Sequence, residues 1–175
     1  MNYATIKWYD IANGEGVRIS LFVSGCTHRC KNCFNEVAWD FSYGAPFDRL
    51  TQEKILKELA PDYIAGLSLL GGEPLEPENQ RALLPFVQEV KRLYPKKTVW
   101  CYTGFVFDEK TVALTAKHKN IPETKELISL FDVLVDGPYV EALKDIRLKF
   151  RGSSNQRVID VQNSLKENKC VLYLD

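Results

Sequence analysis

Apolar positions along the chain change period several times, and each change marks an element. In "RISLFV", Ile19, Leu21 and Val23 alternate with Arg18, Ser20 and Phe22, the period of a half-buried strand. Asn13, Gly14 and Gly16 before it supply turn chemistry, and Gly25 ends it. Ile55, Leu56 and Leu59 share one face of a short helix starting near Thr51 and closed by Pro61. "IAGLSLL", from Ile64 to Leu70, reads as a buried strand running into "GGEP". From Glu78 to Tyr94, the residues Ala82, Leu83, Phe86, Val87, Val90 and Leu93 recur at helical spacing. Pro85 interrupts that pattern and predicts a kink or a late start. "TVWCY" (Thr98 to Tyr102) is the next strand. A helix over Pro122 to Phe131 and a strand over Asp132 to Val135 follow. "RVIDV" and "KCVLYL", near the end of the chain, both look strand-like.

Strands alternating with helices predict an α/β fold with a mostly parallel sheet or partial barrel. There are too few units to close an eight-fold barrel. No internal repeat or low-complexity linker interrupts the 175 residues, so a single domain over residues 1–175 is expected. In this arrangement the polar segments fall after strands: a cysteine loop, "GGEP", "YTG" and "DGP". That edge of an α/β sheet is where ligands bind.

Charge then narrows the reading. Lys and Arg number 23 and Asp and Glu 23, so no broad attraction to nucleic acid or an anionic membrane is expected. The start, "MNYATIKWYD", lacks a charged leader followed by an apolar run, and no apolar run approaches the ~20 residues of a membrane span. The five cysteines are an odd number, with Cys101 and Cys170 standing alone. This pattern suits a reducing compartment, and a cytoplasmic location is expected.

The remaining three, Cys26, Cys30 and Cys33, lie within "GCTHRCKNC". Thiolates are soft ligands used mainly by zinc and by iron–sulfur clusters. A structural zinc usually takes two close pairs of ligands, and here there is no second pair. His28 could be a fourth zinc ligand, but such short spacing would bend the chain sharply around one ion. A cubane offers separate corners that a short loop can wrap with three sulfurs, leaving its fourth iron open. Arg29 and Lys31 are cations beside that loop or simply solvated residues.

The Cys-x3-Cys-x2-Cys spacing resembles the radical S-adenosylmethionine (SAM) superfamily, in which the open iron chelates SAM. "GGEP" resembles that superfamily's GGE motif, which implies that Gly71, Gly72 and Glu73 hold the amino group of SAM. Taken alone, "GGEP" would be an ordinary strand-to-helix turn. "NGEGVRISLFVSGC" resembles the GPG-x-R hairpin that precedes the cysteines in activators of glycyl-radical proteins, with Glu15 where proline is usual. "YTGF" and "DVLVDGPY" resemble later strand ends of that group. By this resemblance Thr103 and Asp136 face the SAM pocket or organise its edge. "FRGSSNQRVID" resembles an RGSxNQR segment. Together these motifs resemble the activating proteins of the anaerobic ribonucleoside-triphosphate reductase.

Many superfamily members carry an aromatic before the third cysteine. Here Asn32 stands there and Phe34 follows, as is usual in the activating family; Phe34 is then the adenine-facing candidate.

The resemblance implies an open (βα) barrel of the radical SAM type. It implies a [4Fe–4S] cluster on Cys26, Cys30 and Cys33, with SAM as the second cofactor. Reductive cleavage of SAM would yield a 5′-deoxyadenosyl radical that takes hydrogen from a glycine Cα of the reductase. The implied partners are that reductase and a flavodoxin-like one-electron donor. No side chain of the protein is implied to react. Arg151 to Arg157 would contact either SAM or the partner. Two other readings stay open here: a radical SAM enzyme acting on a purine-like small molecule, and a zinc-binding interaction module.

Overall fold

The structure, a computed structural model, describes residues 1–174. In chain order, β1 (Asn2–Asp10) and β2 (Val17–Val23) form an antiparallel hairpin. After the cysteine loop come β3 (Ala45–Pro46), α1 (Arg49–Leu59), β4 (Ile64–Gly71), α2 (Pro77–Leu93) and β5 (Thr98–Tyr102). A small hairpin of β6 (Phe107–Asp108) and β7 (Ala113–Leu114) precedes α3 (Thr124–Ser129) and β8 (Val133–Asp136). The chain ends through β9 (Arg157–Asp160), α4 (Val161–Glu167) and β10 (Leu172–Leu174).

The main sheet has the order β10-β9-β8-β5-β4-β2-β1-β3. Its four central strands, β2, β4, β5 and β8, are mutually parallel, and both flanks are antiparallel. The fold is therefore α/β with one open, mixed sheet: parallel in the middle, as the β-α alternation predicted, and antiparallel at the margins. Among the described residues no helix is long and apolar enough to cross a membrane.

Lateral register sorts the residues onto two faces. Leu21, Leu69, Cys101, Leu134 and Ile159 lie in one row and pack in the same core as the helix residues Ile55, Leu59, Leu83, Phe86, Val87 and Leu127. The opposite face carries Ser20, Ser68, Trp100 and Val133 in one row and Tyr102, Val135 and Val158 in the next. Arg18 lies fully buried under this second face.

Several helices depart from the sequence reading. α2 starts at Pro77 and runs through Pro85 without a break. Its first turn is anchored from outside: Asn79 Nδ2 donates to Ser24 O and Glu73 O, and Gln80 Nε2 to Leu75 O and Lys119 O. α3 is shorter than the Pro122–Phe131 pattern. "VQNSLKE" forms a helix because Asp160 caps it, accepting from Asn163 N at 2.9 Å, and Asn168 ends it in the left-handed conformation.

Candidate metal and ligand site

The C-terminal ends of the parallel strands meet the cysteine loop around one cavity of about 640 Å³. Cys26, Cys30 and Cys33 line it, with Gly71, Gly72 and Glu73 after β4, Tyr102 to Gly104 after β5, and Gly137 after β8. The 139–156 segment covers one side through Tyr139, Leu148, Phe150 and Arg151. The sequence could place each motif at a strand end; the sheet order brings them to a single opening.

The glycines serve the chain's own packing. A Cβ on Gly71 (φ +111°) would lie 2.7 Å from the backbone of Phe22 and Val23. One on Gly72 would lie 2.6 Å from Gly25 O and 2.8 Å from Ala38 O. The end of β4 thus packs directly on β2 through Gly71, and the turn after it on the start of the cysteine loop through Gly72. Gly72 N donates to Val23 O and Glu73 N to Gly25 O, which ties the two segments together.

Glu73 is only 1% exposed. Its Oε1 accepts from Leu75 N and Thr103 Oγ1, both at 2.8 Å. Its Oε2 accepts from Gly104 N at 2.8 Å and lies 2.8 Å from His28 Nε2. A carboxylate has about four lone-pair sites, and with His28 as donor all are taken. In the chain as it stands, both carboxylate oxygens are therefore engaged by the protein's own donors. An ammonium reaches Glu73 only by displacing a donor.

His28 lines the same cavity, reaches Glu73 through Nε2, and packs its ring on Phe105 with centroids 4.2 Å apart. Among the described residues, no three His, Cys, Asp or Glu side chains are grouped to hold one metal ion. The donor set instead fits a polynuclear group: three thiols on one short loop, spread around one cavity wall. Burial pushes the Cys26 thiol up to about 12 and the Cys30 thiol in the same direction, so the thiolates need a nearby cationic centre to persist.

Of the other sequence candidates, Thr103 lines the cavity and spends its hydroxyl on Glu73. Phe34 stands on the cavity rim and is 83% exposed. Asp136 does not line the cavity. Strand alternation turns it to the other face, where Arg157 Nε donates to Oδ1 at 2.9 Å and Phe107 N to Oδ2 at 2.8 Å. It ties the end of β8 to β9 and to the β6–β7 hairpin. Arg151 lines the cavity, and its loop is closed by Gln156, whose Oε1 accepts from Gly152 N and Ser153 N. Asn155 and Gln156 also donate to the carbonyls of Pro138 and Gly137.

Sequence reasoning missed Thr27, Glu76 and Lys119. Thr27 donates to Glu76 Oε1 through its N at 2.9 Å and its Oγ1 at 2.6 Å, and Lys119 Nζ reaches Glu76 Oε2 at 2.5 Å. Only the repeated acid in "GGEPLE" hinted at this group; nothing local pointed to Lys119.

Comparison with known proteins agrees with this geometry. A family model described as a 4Fe-4S single cluster domain matches residues 12–159, a span that holds the whole cysteine loop and every strand end around the cavity. The chain is 42% identical over 158 residues to the anaerobic ribonucleoside-triphosphate reductase-activating protein of Haemophilus influenzae, covering 89% of this chain and 96% of that one. The protein of that name from Escherichia coli is 40% identical over 160 residues, covering 90% and 97%. Its counterpart in Enterobacteria phage T4 is 36% identical over 158 residues, covering 90% and 93%. Similarity of this extent, spanning the site and nearly the whole of each relative, means that the chain belongs to the family of anaerobic ribonucleoside-triphosphate reductase-activating proteins.

Proposed function

We propose that this chain, acting as a single domain, converts an anaerobic ribonucleoside-triphosphate reductase to its radical form by reductive cleavage of SAM. The observation that carries this reading is the meeting of three thiols with the "GGEP" turn around one cavity. Cys26, Cys30 and Cys33 would hold a [4Fe–4S] cluster. When bound, that cluster supplies the electron that cleaves SAM to methionine and a 5′-deoxyadenosyl radical, which takes hydrogen from a glycine Cα of the reductase. A flavodoxin-like protein is the kind of one-electron donor this chemistry calls for.

The chain's own residues bind, orient and exclude water. Glu73 would hold the ammonium of SAM. Of its four bonds, the one to His28 gives way, because His28 is the partner with an exposed edge, 17% by side chain. Thr103 and the backbone N–H groups of Leu75 and Gly104 keep the carboxylate aimed. Gly71 and Gly72 keep the turn close against the cysteine loop. Phe34, at the rim, offers a flat apolar surface to the adenine. The 139–156 segment walls one side and limits water access. Asp136 supports this wall indirectly, through Arg157 and Phe107.

The test is to incubate the reconstituted, reduced protein with SAM and the reductase and to record electron paramagnetic resonance spectra. A glycyl doublet on the reductase is expected. SAM cleavage without any doublet would favour an enzyme acting on a small molecule. Zinc in place of iron and sulfide after anaerobic purification would favour a binding module.

A further inference from the structure

Between Cys26 and Cys30 lie three residues, and two of them are held by buried carboxylates from the turn after β4. His28 meets Glu73, and Thr27 meets Glu76. The remaining one, Arg29, has a left-handed backbone (φ +49°), as does Asn32 (φ +58°) before Cys33. Side chains other than glycine hold that conformation only where the surroundings impose it. The loop is thus a strained bend pinned just after its first cysteine.

The pin at Thr27 is closed by a residue far away in sequence. Lys119 Nζ donates to Glu76 Oε2 at 2.5 Å and to Thr27 Oγ1 at 3.1 Å, while that hydroxyl donates to Glu76 Oε1. Burial would raise the Glu76 carboxyl, but Lys119 and the Thr27 donors outweigh it and leave it below its ordinary value. Lys119 itself is fixed. It sits in a 3-10 turn, Lys117–Lys119, beyond the β6–β7 hairpin, and its carbonyl accepts from Gln80 Nε2 at 2.9 Å. Its ammonium lies 5.9 Å from the centre of the Phe105 ring, which in turn packs on His28.

We propose that the Lys119–Glu76 pair is a positioning device for the cluster. It locks Thr27 and so holds the Cys26–Cys30 bend in the shape that presents the thiols together. Lys119 also supplies the positive charge that pairs the buried Glu76 carboxylate at the start of the cysteine loop. Without it, Glu76 becomes an unpaired buried charge and seeks water, drawing Thr27 with it. The proposal rests on the reading that Cys26, Cys30 and Cys33 hold a cluster. The loop's shape, however, can be measured without one.

Exposed Arg29 and Lys31 make that measurement direct, because trypsin cuts after each once the bend opens. When closing is fast, cleavage follows the population of the open form. In the metal-free full chain, Lys119→Met is expected to raise cleavage at Arg29 and Lys31 by about tenfold, with cleavage at Arg92 in α2 as reference. In the doubly neutral Glu76→Gln/Lys119→Met protein, the amide oxygen still accepts from Thr27 and no charge is stranded. Its cleavage is expected to stay within about threefold of the parent. In the reconstituted protein, Lys119→Met should release iron to a chelator about tenfold faster and alter the spectrum of the reduced cluster, and the double variant should restore both.

Unchanged cleavage at Arg29 and Lys31, or an equal rise at Arg92, would overturn the proposal, as would a double variant as labile as Lys119→Met. Full iron retention by Cys30→Ala would instead remove the cluster reading and leave the trypsin result standing.

Discussion

Cys101 and Tyr102 are neighbours on β5 and point to opposite worlds. Cys101 faces the helices, inside an apolar core to which all four parallel strands contribute. Tyr102 faces the cavity, on the side that also buries Arg18, Ser20 and Ser68. One face is held by packing. The other combines a smaller apolar cluster of Trp100, Val133, Val135 and Val158 with polar bonds centred on Arg18: Nε donates to Ser68 Oγ, Nη1 to Glu15 O and Thr98 Oγ1, and Nη2 to Leu67 O and Thr98 O. Among the described residues no carboxylate partners it directly; carbonyl and hydroxyl oxygens do. Burial lowers its guanidinium to about 10, which still leaves it charged at neutral pH. The difference teaches where chemistry can be built. A dry face tolerates only shape, whereas the polar face has donors and acceptors that can be redirected toward a ligand.

The largest expected contrast is between thiols. Replacing Cys26, Cys30 or Cys33 by Ala should abolish stable binding of about four irons per chain. Cys101→Ala should leave the iron intact and lower stability by about 1 kcal/mol, the size of a small core deletion. Iron and sulfide analysis with urea unfolding checks both, and iron loss from Cys101→Ala would erase the distinction.

The next contrast sets Arg18 against its neighbour Ile19. Arg18→Met strands several buried acceptors and should destabilise the metal-free protein by about 3–5 kcal/mol. Ile19→Val, on the helix side, should lower stability by about 1 kcal/mol. Equal shifts in the urea midpoint would mean that the polar face is not held by Arg18.

At the cavity wall, Glu73→Gln should weaken SAM binding roughly ten- to a hundredfold with the cluster retained, since a charge-assisted bond contributes about 1.5–3 kcal/mol. His28→Ala, which frees on Glu73 the acceptor that the ammonium would take, should not weaken SAM binding. Titration of both variants separates direct contact from loop placement: a matching loss in His28→Ala would mean that Glu73 acts through the loop.

The smallest effect concerns the Tyr102 hydroxyl, which is buried without a partner among the described residues. Tyr102→Phe should leave stability unchanged or raise it by about 1 kcal/mol. A loss of SAM affinity in that variant would assign the hydroxyl to the ligand, and a clear loss of stability would mean that it has a hidden partner.

Much of the outer face was legible in the sequence. Helix positions Ile55, Leu59, Phe86 and Val87 repeat at helical spacing, and "IAGLSLL" and "TVWCY" are continuous enough to mark buried strands. The inner face was harder, because strands buried on both sides lose their alternation. Nothing in "TVWCY" says which of its residues meets helices and which meets a cavity. β1 went unmarked as a strand, although Ile6 and Trp8 alternate with exposed Thr5, Lys7 and Tyr9; the alternation is short and its outward positions include an apolar ring.

The sequence by itself determined the local chemistry: the spacing of three thiols, the glycines that let the "GGEP" turn close, and the turns that place each motif at a strand end. These depend on neighbours a few residues apart, so they are written in order along the chain. The tertiary structure alone decided which of those groups touch. Glu73 draws its donors from His28 and from Thr103 and Gly104, 45, 30 and 31 residues away. Lys119 reaches Thr27 across 92 residues, and Asp136 leaves the pocket for Arg157, 21 residues on. A buried polar side chain has no periodicity to betray it. Its partner is chosen by sheet order and register, because an unpaired charge in the interior costs more than the fold can spare.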